Sequence, residues 1–183
     1  MKKGRLIVIT GPSGVGKTTL LKRLLKDHKK EITFSVSYTS REPRINEIDG
    51  VDYFFIAKEE FEKEIKENKF LEYALVHGNF YGTSREQVDK VIKGGKDCLL
   101  DIDVQGGLIL MSKNTEAMYI FIAPPSLDTL KKRLYHRSTD DVEVIERRLK
   151  NAEKELLEKD KYDFLVINDN LETAYKDLEK IIY

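Results

Sequence analysis

The chain has 183 residues, with 32 Lys plus Arg against 32 Asp plus Glu, so the formal net charge is zero. That length suits one domain, or one domain with insertions, and can bury a core without staples. Balanced charge excludes a broad basic footprint for nucleic acid, and a 40% hydrophobic share argues against disorder. Residues 5–10, RLIVIT, make a β-branched run suited to a buried parallel strand. A Gly-rich turn follows, then a helix over 17–27 with Leu20, Leu21, Leu24 and Leu25 on one face. Residues 32–38 read as a second strand, and 39–50, TSREPRINEIDG, as a polar loop. A short apolar piece covers 53–56, and Phe61 pairs with Ile65 at helical spacing within 58–68. Residues 70–83 predict two strands turning at His77-Gly78-Asn79. Ser84 caps a helix to about residue 93, and Gly94-Gly95 ends it.

The alternation continues in the second half. Residues 97–101 and 117–123 read as buried strands, the latter cut off by Pro124-Pro125. Ser126 caps a helix to about His136, and Thr139 or Asp140 opens a longer one. Val142, Ile145, Leu149, Ala152 and Leu156 form the stripe of that helix. Residues 163–168 make a strand, and 171–182 an amphipathic closing helix. Strands alternating with helices imply an α/β fold whose mostly parallel sheet is flanked by helices. The stretch 34–83 breaks the rhythm and suggests a small mixed or antiparallel insertion. Cys98 is the only cysteine, which rules out an intramolecular disulfide and a cysteine-based zinc site. His28, His77 and His136 are too scattered to suggest a metal cluster. The longest apolar run, 117–123, is far below the roughly 18 residues of a membrane helix. Met1-Lys2-Lys3 looks like a signal-peptide start, but the apolar stretch 6–9 is too short to continue one. The expectation is a cytoplasmic protein without nucleic-acid or membrane partners, its oligomeric state undetermined.

Gly11-Pro12-Ser13-Gly14-Val15-Gly16-Lys17-Thr18 fits G-x-x-x-x-G-K-[ST] in full, between a strand and a helix. Such a loop turns backbone N–H groups toward phosphate oxygens, and the helix N-terminus adds partial positive charge. Lys17 is placed to bridge the β- and γ-phosphates, and the Thr18 hydroxyl to ligate Mg²⁺. The dinucleotide fingerprint fails, because Thr19 stands where its third glycine is needed. Asp101-Ile102-Asp103 ends a strand, where an acidic residue either holds the Mg²⁺ shell or caps the next turn. These residues point to a nucleoside-triphosphate-binding fold: an NTPase, a small-molecule kinase or a nucleotide-dependent switch. Arg41 and Arg44, three apart in a loop after a strand, suit a phosphate dianion or a solvated basic loop.

Several pieces together identify a resemblance. GPSGVGKTT, FSVSYTSREPR, DGVDYF, FLEYALVHGNFYGTS, LDIDVQG, IFIAPPS and VIND occur in order from about Ile7 to Asp169. In this the chain resembles guanylate kinases, which phosphorylate GMP with ATP. The resemblance implies that Arg41, Arg44, Tyr53 and Tyr81 hold the GMP phosphate. It implies that Ser37, Glu72 and Thr83 read the guanine, with Asp101 and Asp103 in the same GMP-facing set. Lys17, Arg133, Arg137 and Arg148 would surround the transferring phosphoryl group, with Arg41 also counted as catalytic. Gly11, Pro12, Ser13, Gly14, Val15, Gly16, Lys17, Thr18 and Thr19 would bind ATP, with Asn168 near its adenine. Thr18 and Asp101 would hold Mg²⁺, the latter partly through water.

The implied organisation is one domain over 1–183. Its core covers about 1–33, 84–125 and 160–183, its GMP-binding insertion about 34–83, and its lid about 126–159. One carboxylate such as Glu72 can accept from both N1–H and the N2 amino group of guanine, and adenine offers neither. Rival readings are a guanylate-kinase-like scaffold domain that binds peptides, and a related P-loop kinase with another acceptor. The chain departs from the family at Tyr135-His136-Arg137-Ser138, where members usually place glycines around the arginine. It departs again at Ile45-Asn46, although Asn tolerates the positive φ that a turn there requires.

Overall fold

The computed structural model describes residues 3–76, 78–136 and 141–183. The elements of the first half are β1 (Leu6–Thr10), α1 (Lys17–Asp27), β2 (Ile32–Phe34), β3 (Tyr38–Thr39), β4 (Phe54–Phe55), α2 (Lys58–Lys66), β5 (Phe70–Val76), β6 (Asn79–Ser84) and α3 (Arg85–Lys93). Those of the second are β7 (Asp97–Asp101), α4 (Val104–Ser112), β8 (Met118–Ala123), α5 (Leu127–His136), α6 (Val142–Leu156), a 3₁₀ turn at Lys159–Lys161, β9 (Phe164–Ile167) and α7 (Leu171–Ile182). Five strands form one sheet in the order β2-β7-β1-β8-β9, with β2–β7 and β8–β9 parallel. Four form a second sheet, β4-β3-β6-β5. It is mixed, because β3 runs parallel to β4 but antiparallel to β6, and β5 is antiparallel to β6.

The chain packs as two compact units. The first takes in the residues up to Ile7, Lys30–Leu100 and Gln105–Ala117. Its second sheet rests on an aromatic stack, with Phe61 lying 4.3 Å from Phe70 and 5.2 Å from Phe80, centroid to centroid. Gly82 lets that stack close in, since a Cβ there would lie 2.9 Å from Phe61 Cζ. Ser84 caps α3 by accepting from Gln87 N–H.

The second unit takes in Val8–Lys29, Asp101–Val104 and Met118–Tyr183. Val8, Ile9, Ile120, Phe121 and Ile122 are fully buried, as are Leu20 and Leu24 of α1. Helices α5 and α6 pair through Leu130, Leu134, Ile145 and Ala152, with Leu149 at the margin. Each such Leu or Ile contributes roughly 1.5–3 kcal/mol by leaving water. The stripe of α6 therefore begins at Ile145, because Val142 is exposed. The residue before α6 in the N-cap position is Asp141; Thr139 and Asp140 lie outside the described residues.

One sequence expectation needs correction, and one helix had none. The run 32–38 is two strands in different sheets, not one. Ser35 N–H still reaches the Leu99 carbonyl at 2.9 Å, but Ser37 offers its carbonyl to Phe54 N–H at 2.9 Å. The chain changes partners between them, which an unbroken apolar run does not reveal. Helix α4 was not expected at all. Gly106-Gly107 reads as a breaker in sequence, yet both glycines are buried inside the helix, where packing outweighs their backbone entropy. Asn46 does adopt the positive φ expected of it, at 71°. Among the described residues, no helix is long and apolar enough to cross a membrane.

Candidate active site

In the second unit, the chain leaves β1 and enters the Gly-rich loop. Gly11 has φ 147° and Gly16 φ 99°, angles that residues with side chains rarely adopt. Space forbids a side chain as well. A Cβ on Gly11 would sit 2.2 Å from the Ile122 carbonyl oxygen, and one on Gly16 would sit 2.5 Å from Asn168 Nδ2. The loop delivers Lys17 as the first residue of α1, whose first turn carries no acidic side chain to offset the helix end. Lys17 Nζ donates to the Gly11 carbonyl at 2.7 Å and lies 3.9 Å from Asp101 Oδ1. Thr18 and Thr19 are exposed. Burial pushes the Asp101 carboxyl above its ordinary value, and the Lys17 charge only partly opposes this.

The loop's outer turn is held from outside. Asn168 is buried, and its Nδ2 donates to the Val15 carbonyl at 2.8 Å. Arg133 reaches the same carbonyl from Nη1 at 3.4 Å, and its Nη2 donates to the Asp169 carbonyl at 3.2 Å. Around them lies a cavity of about 340 Å³, lined by Gly14, Val15, Gly16, Thr19, Arg133, His136, Asn168, Asp169 and Leu171. Arg148 is half-buried on α6, and Asp103 is half-buried just before α4. Arg137 lies outside the described residues.

In the first unit, the alternation of β5 turns Phe70, Glu72 and Ala74 inward. A bulge between Phe70 and Glu72 shifts the register so that Glu72 faces Thr83. Both are buried, at 3% and 0% exposure, and Thr83 Oγ1 donates to Glu72 Oε1 at 2.5 Å. A carboxylate out of water and fixed by a hydroxyl is a costly feature unless it has a ligand or partners to meet. Nearby in the same unit, Arg41 Nε donates to Tyr81 OH at 3.2 Å, and the Tyr53 ring lies 5.5 Å from the guanidinium. Tyr53 and Tyr81 meet edge to face at 5.9 Å. Arg44 is exposed and Ser37 half-buried.

So the structure gathers Arg41, Tyr53 and Tyr81 into one cluster and pairs Glu72 with Thr83. It gathers Lys17, Asp101, Arg133 and Asn168 around the Gly-rich loop. Two acidic residues escaped sequence reasoning. Glu47 bonds Arg41 Nη2 at 2.9 Å; its only signal in sequence is an acid three residues after Arg44 in a turn-rich loop. Glu155 on α6 has its carboxyl raised by burial, pulled back by Lys17 and raised further by Asp103, so it shares the field of Lys17. A lone glutamate on a helix stripe gives no signal for that. Asn168 was placed near adenine, but its bond to the loop carbonyl was not foreseen.

Known proteins resemble this chain along its whole length. The family model described as guanylate kinase matches residues 3–183. A guanylate kinase from Fusobacterium nucleatum is 50% identical over 182 residues, covering 100% of this chain and 97% of that protein. Guanylate kinase 1 of Oryza sativa is 50% identical over 179 residues, but this chain spans only about half of its length, 47%. A crystal structure of guanylate kinase from Anaplasma phagocytophilum superimposes with a TM-score of 0.77 at 31% identity, covering 100% of this chain and 86% of that one. Matched almost end to end by the family model and half identical to a relative of nearly its own length, the chain belongs to the guanylate kinase family.

Proposed function

We propose that this chain transfers the γ-phosphoryl group of ATP to GMP, yielding ADP and GDP, by direct in-line transfer. The observation that carries the acceptor is Glu72, a buried carboxylate held by Thr83 in the unit that also carries Arg41 and Tyr81. Guanine meets such a carboxylate with N1–H and the N2 amino group. Adenine offers neither donor, and sites of this kind reject the wrong ligand by up to about 10⁴–10⁵-fold. Ser37 completes the base reading, and Asp101 and Asp103 belong to the same GMP-facing set. Arg41, Arg44, Tyr53 and Tyr81 hold the acceptor phosphate.

On the donor side, backbone N–H groups of residues 11–19 cradle ATP, and Lys17 leaves the Gly11 carbonyl for the β- and γ-phosphates. The 340 Å³ cavity beside Asn168 takes the adenine. Arg133, Arg137 and Arg148 neutralise charge on the transferring group. Among the described residues, no three His, Cys, Asp or Glu converge to cage a metal. Mg²⁺ needs no such cage, because it keeps its waters and takes one or two protein oxygens plus substrate phosphates. Thr18 Oγ1 and the Asp101 carboxylate are the oxygens available, and bound Mg²⁺ would supply charge neutralisation across the phosphates. We also propose the division into core, GMP-binding insertion (about 34–83) and lid (about 126–159). A free buried Cys98 and nucleotide substrates suit a cytoplasmic setting.

A coupled ADP-release assay with Mg-ATP and GMP, dGMP, AMP, CMP, UMP or no acceptor tests this. Fast release with GMP, alone or with dGMP, is expected. Turnover with another base and not with GMP would overturn the role of Glu72.

A further inference from the structure

The loop after β3 holds a carboxylate that the proposed reaction does not use. Both oxygens of Glu47 accept from Arg41 Nη2, at 2.9 and 3.0 Å, and Oε2 also accepts from the Arg44 backbone N–H at 2.7 Å. The two side chains are only 15% and 18% exposed. The other two nitrogens of Arg41 are engaged too, with Nε on Tyr81 OH at 3.2 Å and Nη1 on the Glu42 carbonyl at 2.7 Å. The Nε–Nη2 edge of a guanidinium is a fork that takes two oxygens of a phosphate. Here a phenol oxygen and a carboxylate already fill that fork. A phosphate arriving at it meets Glu47 directly, and two anions cannot share one guanidinium edge without strong repulsion.

Resting on the reading of Arg41 as a ligand of the acceptor phosphate, we propose that Glu47 is a specificity-determining residue, an internal anion that only a phosphate dianion displaces from Arg41. The charges favour the exchange. A carboxylate brings one negative charge, whereas a phosphate monoester brings about −1.5 to −2 at pH 7 and three acceptor oxygens. Glu47 gives Arg41 a counter-charge within the chain, which offsets the cost of its partial burial. Burial alone would weaken its charged form, but the bonds from Tyr81 and Glu47 outweigh burial and strengthen it. A monoanion offers no more charge than Glu47 and does not take its place.

Calorimetric titration of the full chain with GMP and with its phosphate methyl ester, a monoanion, tests the idea. Wild-type protein should bind GMP at least about tenfold tighter than the ester, a difference of about 1.4 kcal/mol. In Glu47→Gln, GMP should bind about two- to fivefold tighter, the scale of one lost ion pair, and the ester should gain at least as much. Glu47→Asp, one methylene shorter, keeps the loop's charge but loses the reach, and should move GMP binding the same way. Equal binding of GMP and ester by wild type overturns the proposal whatever the variants do. So does unchanged or weaker GMP binding in the variants, which would make Glu47 a support for Arg41 rather than its competitor. Wild type that binds ATP but no GMP would instead sink the acceptor reading itself. Unchanged ATP affinity in the variants verifies that they fold.

Discussion

On the proposed function the donor loop and the acceptor pocket would both hold phosphate, yet they are built from different materials. The donor side is backbone. Eight consecutive residues, 11–18, shape it through glycine angles and through a carbonyl clamped by Asn168. The acceptor side is made of side chains drawn from residues 37–83: Arg41 on Tyr81 and Glu47, and Glu72 on Thr83. Each side satisfies its own charges within the chain, Lys17 on the Gly11 carbonyl and Arg41 on Glu47. A backbone cradle recognises what every nucleoside triphosphate has, its phosphates. A side-chain pocket recognises what one base has. Chemistry therefore should fail when the donor side is altered, and selectivity when the acceptor side is.

The largest effect should come from Lys17→Ala. Removing a charge aimed at the transferring phosphates should lower turnover about 10²–10³-fold or more, with GMP affinity unchanged by calorimetry. Loss of GMP binding in that variant would erase the division of labour. Glu72→Gln tests the other side. It removes a charged acceptor from two hydrogen bonds, so GMP should weaken by about 10–10²-fold while the KM for ATP stays within about twofold. Equal weakening of both substrates would count against base reading.

The same contrast explains what the sequence made legible. Gly11–Thr18 could be read directly, because a backbone-built site is contiguous and its residue types follow from φ and close approach. The strands and helices around it were equally legible wherever periodicity was clean, as in α1, α3 and α7. Glu72 could not be read from its own surroundings, since an isolated strand glutamate usually faces water. Only the family resemblance singled it out; the bulge that turns it against Thr83 is a register feature invisible in sequence. Glu155 was missed because Lys17 and Asp103, whose charges act on it, lie far from it in sequence, and Glu47 because a turn-rich loop does not show which of its side chains meet, even six residues apart. Helix α4 was hidden by Gly106-Gly107, whose cost is offset by burial that only the fold displays.

Asp101, proposed both for the GMP-facing set and for Mg²⁺, bears on both sides, and Asp101→Asn separates activity from stability. Burial disfavours the ionised carboxyl, so its folded pKa lies above the unfolded value of about 4. The folded state then binds the proton more tightly. Stability from this group is present below the unfolded value and is lost as pH rises through the folded one. Asparagine has no charge to bury, so this variant should melt higher than wild type at pH 7, with the gap closing toward pH 4. Its activity should fall by about 10–100-fold, with more Mg²⁺ needed for half-maximal rate. A lower melting temperature at pH 7 would mean that the Lys17–Asp101 attraction outweighs burial.

Asn168→Ala should give the smallest effect, confined to the donor side. The alanine removes the Nδ2 donor from the Val15 carbonyl, a buried bond of 2.8 Å. An orphaned buried acceptor costs about 1–3 kcal/mol. The longer contact from Arg133 Nη1, at 3.4 Å, still covers that carbonyl, which places the cost near the low end. At about 1 kcal/mol, a chain of this size should lose about 2–4 °C in melting temperature. The loosened turn should raise the KM for ATP several-fold and leave GMP affinity alone. Asn168→Asp should be worse than alanine, since it aims a carboxylate oxygen at a carbonyl oxygen. Should alanine and aspartate prove equivalent, the bond to Val15 would not be what keeps the cradle in shape.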